Sequence, residues 1–544
     1  MVFTLHRYVF RELLRVFILA TVGLTLILSL GGILRPVQEY GVGPRQVLHI
    51  LIYFMPITLT FVLPMAALFA SALTYGRFAV DNELDACRAS GVSLLTLIYP
   101  GFVLAILVAI ANLLLSFHVM PYFVHLAEKS LKADAKQILF RNIQRKGYYS
   151  LPPEGRYFIY ADYADATNDT LFGIVVIQYE QERIKRIRTS EIAKVQFDPH
   201  DRFNEVQLTI LKARQIGDAA NDYWAEIGSL QLKKEFGSLL GDKIKFKKVE
   251  EMKRIRADLM RFDPIAKIAR AAHTQLATEL LAQDLAVRWH AAPGSFYELQ
   301  GESHSVRLSA SSCALEKEMV IALKPPVIVE EYDNRTGLRL RRLQCERAEV
   351  YVEEDPTSGS PNANDRFGQP NPRLGLDLRS AREEGGSLLV QYVVGDLALP
   401  DRLRQGLQNG SLPQRVLPAS TLAILGGPPS SILARQQAIL QATIIKARLY
   451  IQSETNSRLV FGIGCIPMIL IGIGLGIIQR GGHLLGAFGA SCVPAALLGA
   501  AIISGKRLAE NVNSQGAYGV LVMWAGVAFL MLLTVWIYRR LLRV

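Results

Sequence analysis

The chain has 544 residues, of which half are hydrophobic and only 20% are charged, and its mean hydropathy is positive. This balance is too apolar for an ordinary soluble protein and indicates a membrane protein. The formal net charge is +12. The basic residues are scattered, without the basic-aromatic stripe or zinc-finger spacing of a nucleic-acid-binding protein, so anionic lipid is the better partner for them than nucleic acid.

Six apolar runs are long enough to cross a bilayer, whose core of about 30 Å needs about 20 helical residues. These runs, none of which contains an acidic residue, are residues 16–34, 47–75, 94–118, 459–478, 484–504 and 517–538. The first run is too long for the apolar part of a signal peptide and has no small-residue cleavage site after it. We therefore predict six transmembrane helices in two groups of three.

The orientation of the spans follows from the Lys and Arg residues near their ends. One side carries Arg7, Arg11, Arg15, Arg77, Arg88, Arg480, Arg539, Arg540 and Arg543, and the other carries Arg35, Arg45, Lys506 and Arg507. Because the first side is the more basic, we expect both termini in the cytoplasm. The predicted parts are membrane segments at 1–119 and 457–544 and an extracytoplasmic domain at 120–456.

The extracytoplasmic domain shows short runs of alternating apolar residues, which are typical of half-buried strands. One set, which includes residues 156–160, 174–179 and 206–211, precedes a second set between 305 and 394. Apolar residues at helical spacing predict a helical insertion at about 247–288. Residues 355–373 are rich in Pro, Gly, Asn and Ser and predict a flexible loop. The fold class is thus a helical membrane protein with a mainly-β, jelly-roll-like periplasmic domain.

The sequence argues against an enzyme. The phosphate-binding pattern GxxxxGK[ST] is absent, so a separate subunit must bind ATP if ATP is used. No catalytic motif of a hydrolase has a supporting context. The five cysteines form no CxxC pair, and we predict neither a metal nor a cofactor. Cys313 and Cys345 could form a disulfide if the domain faces an oxidising compartment.

The loop between the second and third spans, residues 76–93, is the most informative cytoplasmic segment. Its apolar residues Val80, Leu84, Cys87 and Ala89 fit one stripe of a short helix. Glu83, Asp85 and Arg88 belong to the opposite face, and Gly91 is a natural helix stop. One interpretation is a solvated connector. The other is a coupling helix that inserts into a groove of a cytosolic ATPase, where Glu83 meets a basic partner.

Four stretches resemble the lipopolysaccharide-export permeases LptF and LptG. They are Arg7-Tyr-Val-Phe-Arg-Glu12, Leu63-Pro-Met with Gly76-Arg77, Glu83-Leu-Asp-Ala-Cys-Arg-Ala-Ser-Gly-Val-Ser93 and Glu454-Thr-Asn-Ser-Arg458. In the third stretch Ser90 stands where the family frequently has Cys. At over 300 residues, the predicted outer domain is larger than the jelly-roll usual in this family.

The resemblance implies an inner-membrane transporter subunit that works with a second permease of the family, a cytosolic ABC ATPase dimer and periplasmic lipopolysaccharide-transport proteins. It does not say whether the chain is LptF-like or LptG-like. The substrate would be lipopolysaccharide or a related glycolipid, whose phosphates need cations near the outer leaflet. Arg35, Arg45, Lys506 and Arg507 could bind these phosphates. Alternatively, they only anchor the span ends at the interface.

Two rival functions come from other classes. A lipoprotein-release permease would carry its large domain after the first span rather than after the third. A membrane-anchored scaffold would not need six helices with internal prolines and glycines. Nor would it need a carboxylate-bearing cytoplasmic loop. Co-purification with a cytosolic ATPase separates a transporter from a scaffold.

Overall fold

A computed structural model gives the fold of the protein. It describes the chain except residues 1, 41–43, 134, 151–156, 181–182, 200–203, 217–224, 237–242, 293, 302–303, 355–371, 385–387, 408–411, 479–483, 512–516 and 544. The predicted flexible loop at 355–373 therefore falls almost wholly outside the described residues. The chain divides into two compact units, Met1–Met252 with Leu449–Val544 and Lys253–Arg448.

The first unit contains the apolar helices and several shorter, more polar ones. They are α1 (Val2–Tyr40), α2 (Pro44–Val80), α3 (Glu83–Ala89), α4 (Leu94–Leu114), α5 (Met120–Ala133) and α6 (Ala135–Lys146), with a π-helical turn at Leu115–Val119 between α4 and α5. After the second unit follow α13 (Leu484–Glu510) and α14 (Ala517–Arg543), while α12 (Ser431–Ile478) begins in the second unit and ends in the first.

Six helical segments among the described residues are long and apolar enough to cross a membrane. They are Phe3–Gly31, Leu51–Val80, Leu94–Ala127, Ser431–Ile478, Cys492–Glu510 and Ala517–Arg543. Each overlaps one of the predicted runs, so the prediction of six spans is confirmed. The fourth span is the end of a helix that starts well before the apolar run, because the residues from Ser431 onward continue the helix without a break.

Two glycines bring α13 and α14 into backbone contact. A Cβ atom on Gly519 would lie 2.3 Å from the amide nitrogen of Ala509 and 2.4 Å from the carbonyl oxygen of Gly505. A Cβ atom on Gly505 would lie 2.7 Å from the carbonyl oxygen of Gly519. Small residues at such crossings let membrane helices approach closely, which increases the van der Waals contact between them.

A seven-stranded antiparallel sheet belongs to the first unit. Its strands are β1 (Tyr148–Ser150), β2 (Tyr157–Tyr160), β3 (Tyr163–Asp165), β4 (Thr170–Glu180), β5 (Arg183–Pro199), β6 (Asn204–Ile216) and β7 (Ala225–Phe236). The order is β1-β2-β4-β5-β6-β7, and β3 pairs with β4. Alternate residues of β4 such as Ile174 and Val176 are buried, as the period-2 pattern predicted. The short helix α7 (Val249–Ala257) follows β7.

The second unit contains an antiparallel sheet of eight strands. They are β8 (Tyr297–Gln300), β9 (His304–Ser309), β10 (Ser312–Lys317), β11 (Val320–Lys324), β12 (Val327–Asp333), β13 (Arg339–Glu354), β14 (Pro372–Glu383) and β15 (Leu388–Ala398). The order is β10-β11-β13-β12-β9-β8, with β14 between β13 and β15. The long helix α8 (Asp263–Ala291) contacts β10, β11 and β13. Three short helices, α9 (Asp401–Gly406), α10 (Leu412–Arg415) and α11 (Pro418–Leu425), lead to α12.

Helical membrane spans together with antiparallel β-sheets confirm the predicted fold class. The helical insertion predicted at about 247–288 corresponds to α7 and α8. The two predicted sets of strands lie in separate sheets, one in each compact unit. The boundaries 1–119, 120–456 and 457–544 stay predictions, because the compact units follow chain packing rather than the membrane. Cys313 and Cys345 are both free thiols in this structure.

Candidate functional site

The predicted coupling segment forms the short helix α3, between the second and third spans. Gly91 follows it with φ +83°, a left-handed conformation that glycine adopts without strain. The side chain of Leu84 is buried in a cluster with Val9 and Leu13 of α1, and Cys87 packs against the same cluster. Val80, which the apolar stripe also included, is 41% exposed. Only the middle of the stripe therefore anchors α3 to the spans.

The carboxylates around α3 contact the beginning of α1. The Tyr8 hydroxyl donates to the Glu83 carboxylate at 3.4 Å. Glu12, also on α1, lies 3.2 Å from the Arg77 guanidinium at the end of α2. Arg77 in turn lies 3.7 Å from Asp81. The N-terminus and the loop between spans two and three are thus joined by polar contacts at one end of the bundle.

The other predicted coupling residues share this surface with Glu83. Glu83, Asp85 and Arg88 are each half-buried, and Gly91 is exposed. The partly accessible side chains give a charged face beside the buried Leu84. The structure brings the four residues together on one short helix and its stop, and their role in binding an ATPase stays a prediction.

A buried ion cluster lies at the opposite end of the spans. The guanidinium of Arg458 donates to the Glu454 carboxylate at 3.0 Å, and the Lys506 ammonium on α13 forms an ion pair with the other carboxylate oxygen. The side chains of Arg458 and Glu454 are 4% and 7% exposed, and that of Lys506 is 26% exposed. We call these three residues the Glu454 cluster.

Arg458 also donates to the backbone carbonyl groups of two other segments. It donates to the carbonyl oxygen of Ser116 at 3.1 Å, in the π-helical turn within the third span. A second donor reaches the carbonyl oxygen of Lys245 at 2.8 Å, in the segment that joins β7 to α7. A π-helical turn shifts the usual hydrogen-bond pattern of a helix, so a carbonyl in it gains from an external donor. One planar guanidinium thus ties the third and fourth spans to the chain leaving the first sheet.

The residues between Glu454 and Arg458 make further contacts to separate elements. The Thr455 hydroxyl lies 4.0 Å from the Met252 sulfur. The indole of Trp524 on α14 donates to the Asn456 side-chain oxygen at 3.1 Å. Together with Lys506, these contacts connect α12 to α7, α13 and α14. The five-residue stretch that resembles the export permeases is therefore a structural junction.

Cations outnumber anions around the Glu454 cluster. Lys247 lies 3.9 Å from Glu251, and Lys245 belongs to the adjacent short helix Ile244–Phe246. Burial lowers the pKa of Lys245, the charges of Lys243 and Lys506 lower it further, and Glu454 opposes them. Such a local excess of positive charge favours the approach of an anion.

The predicted phosphate ligands fall into three situations. Lys506 forms an ion pair with Glu454, so it belongs to the Glu454 cluster and is not an isolated anchor at the span end. Arg507, its neighbour, is exposed. The side chains of Arg35 and Arg45 lie outside the described residues, so their place relative to Lys506 stays a prediction. Sequence reasoning missed the pairing of Glu454 with Lys506, although an acidic residue one helical turn before Arg458 and beside an apolar run was a visible signal.

Six spans, with a polar junction at one end and a short charged helix at the other, define a multi-pass membrane protein. The family model described as lipopolysaccharide export system permease LptF/LptG matches residues 7–280, which is half of the chain. The protein belongs to this family. None of the curated proteins matches it. The matched residues include most of span one, spans two and three, α3 and the first sheet, and they end before the second sheet begins at Tyr297.

Proposed function

We propose that this lipopolysaccharide-export permease is one subunit of an ATP-driven transporter that extracts lipopolysaccharide, or a related glycolipid, from the inner membrane. It passes the lipid to a periplasmic bridge toward the outer membrane. A second permease of the same family and a cytosolic ABC ATPase dimer complete the complex. Both termini and α3 face the cytoplasm. Family membership supports the export function, and the placement of α3 beside the N-terminus supports the assignment of the ATPase-binding end.

The observation that carries the coupling proposal is the anchoring of α3. A helix that transmits force must be fixed to the membrane spans on one face and present charge on another. Leu84 is fixed in the core with Val9 and Leu13, while Glu83 and Arg88 remain partly accessible. Movement of an ATPase bound to Glu83 would therefore be passed to α1 through Tyr8 and to the spans through Leu84.

The opposite end supports a contact with the phosphates of the substrate. Lys506 has a partly accessible ammonium, and Arg507 beside it is exposed. An ammonium and a guanidinium on adjacent residues can neutralise phosphate groups that leave the outer leaflet. Arg35 and Arg45 complete the proposed phosphate-binding set. The ion pair with Glu454 positions the Lys506 ammonium before a substrate phosphate binds.

A second permease is proposed because the first span is poorly covered by its own chain. Only 17% of the residues in its apolar stretch are buried inside this subunit, whereas 67% are buried in the fourth span. Ile18, Leu19 and Ile27 are more than half exposed. A lipid cavity between two permeases would use this surface. The acyl chains of the substrate would lie against it, since apolar contact there replaces the burial that each CH₂ group loses on leaving the bilayer, about 0.8 kcal/mol.

The test is co-purification of the full chain with the partner permease and the ATPase, followed by lipopolysaccharide release from proteoliposomes. Glu83→Ala should reduce ATPase association and release while leaving the fold intact, because a partly exposed charge contributes about 1 kcal/mol or less to stability. Glu318→Ala, an exposed carboxylate in the turn between β10 and β11, is the matched control. Wild-type association and release in Glu83→Ala would make α3 a connector only.

A further inference from the structure

An apolar groove runs along the surface of the first unit between α4 and α14. Leu95, Tyr99 and Phe102 of α4 form one wall, Thr534 and Val535 of α14 form the other, and Leu470 of α12 forms part of the floor. The volume of the groove is about 400 Å³. Leu95, Tyr99 and Val535 are each at least half exposed within this chain, so the groove is open at the surface of the spans.

Two of the three hydroxyl groups on the residues that line the groove donate to backbone carbonyl oxygens. The Thr534 hydroxyl donates to the carbonyl oxygen of Leu530 at 2.8 Å. The Tyr538 hydroxyl donates to the carbonyl oxygen of Leu470 at 3.1 Å. With these hydroxyls already engaged, the walls offer an entering molecule almost only carbon. Water would lose hydrogen bonds there, whereas a hydrocarbon chain would gain contact.

The side chains in the groove also argue against a transmembrane helix as the occupant. Helices pack closely in membranes where small residues let their backbones approach, as Gly505 and Gly519 do between α13 and α14. The α4–α14 groove is lined instead by large side chains, such as Leu95, Tyr99 and Phe102. A narrow cleft with such walls admits a flexible chain and keeps a second backbone at a distance.

Positive charge lies at the end of the groove that is near both termini. The ring of Tyr99 lies 5.4 Å from that of His6 on α1, which places this end of the groove beside the N-terminal helix. Arg539 follows Val535 by one helical turn and so continues the same face of α14. Its side chain is exposed. The guanidinium of Arg540 lies 6.0 Å from the ring of Trp536, in the manner of an interfacial aromatic anchor.

We propose that the α4–α14 groove is a binding site for one anionic phospholipid. An acyl chain occupies the apolar cleft, and the Arg539 guanidinium binds the head-group phosphate at the level of the membrane interface. Basic residues beside clefts between membrane helices are a recurring arrangement for anionic head groups. The site is distinct from the proposed phosphate-binding set of the glycolipid path, because it lies at the other end of the spans from the Glu454 cluster.

The test uses the full chain in vesicles of phosphatidylethanolamine that contain a minor fraction of phosphatidylglycerol with a photoreactive acyl chain. After irradiation, cross-linked peptides are mapped by mass spectrometry. We expect labelling concentrated on residues 95–102 and 534–538. Val535→Trp fills the groove and should abolish this labelling. Leu532→Trp, at a 71% exposed position on α14 outside the groove, is the matched control and should leave it intact.

A second variant separates the head group from the acyl chain. Arg539→Gln leaves the groove open, so photoreactive phosphatidylethanolamine should still label it. The preference for phosphatidylglycerol should fall about fivefold, as expected for one interfacial cation. Labelling spread evenly over the lipid-facing helices, unchanged labelling in Val535→Trp, or an unchanged preference in Arg539→Gln would each overturn the proposal. Competition of the labelling by lipopolysaccharide but not by phosphatidylglycerol would also overturn it, since the groove would then belong to the cargo path.

Discussion

Replacing Arg458 by Met tests the Glu454 cluster most directly. The substitution keeps an apolar stem but removes the guanidinium that bonds Glu454, the Ser116 carbonyl and the Lys245 carbonyl. Removing one member of a buried ion pair costs about 3–5 kcal/mol, because the remaining charge stays desolvated. Because Lys506 still neutralises Glu454, we expect the charge to lower the free energy of unfolding by an amount at the lower end of this range. The two carbonyl groups that lose their donor lower it further.

The measurement is the unfolding midpoint of the full-length protein in detergent, followed by tryptophan fluorescence. Trp524 reports on the junction because its indole bonds Asn456. Arg448→Met, at an exposed position of the same helix, should change stability by no more than about 0.5 kcal/mol. In a double-mutant cycle with Glu454→Gln, the stability lost in the double mutant should be about 1–3 kcal/mol smaller than the sum of the two single losses. Equal stability of the Arg458 and Arg448 variants would refute the view that the cluster holds the junction together.

Three further predictions concern other parts of the chain. Burial, reinforced by the charge of Arg415, lowers the pKa of His273 from 6.5 to about 4, so its contribution to stability is complete above pH 6.5 and is lost as the pH falls toward 4. The loss is about 3 kcal/mol, and a pH series of thermal unfolding should show this dependence in the wild type and not in His273→Gln. Reporter fusions after Arg543 and within 355–371 should register the cytoplasm and the periplasm respectively, and the same side for both would disprove the proposed orientation. Lipopolysaccharide release should be mildly impaired in Arg35→Lys and severely in Arg35→Glu, while normal release by the Glu variant would limit Arg35 to anchoring its helix.

The membrane helices and α3 could be predicted because their signals are local. Twenty apolar residues in a row have few stable alternatives to a membrane span. A stripe centred on Leu84 with a glycine at the helix end similarly predicts a short amphipathic helix. The exposed Val80 shows the limit of this reasoning, because periodicity identifies a face but not how far the neighbouring spans cover it.

The sheets and the Glu454 cluster could not be fully predicted because they depend on pairing between distant segments. Alternating residues indicated strands on both sides of the helical insertion, but which strands share a sheet is determined by hydrogen bonds across the chain. The charge count placed Lys506 at a span end, which is where phosphate ligands are expected. Its ion pair with Glu454 joins residues 52 positions apart and leaves no periodic trace in the sequence.

The backbone contact between α13 and α14 limits how this half of the membrane region can move. At Gly519 the helices are already too close for an added methyl group, so a slide that brought a larger residue to the crossing would require them to separate. The fifth and sixth spans should therefore travel as one rigid block during any transport cycle. Under the proposed lipid-export function, a lateral opening would form along another seam, such as the weakly covered surface of the first span.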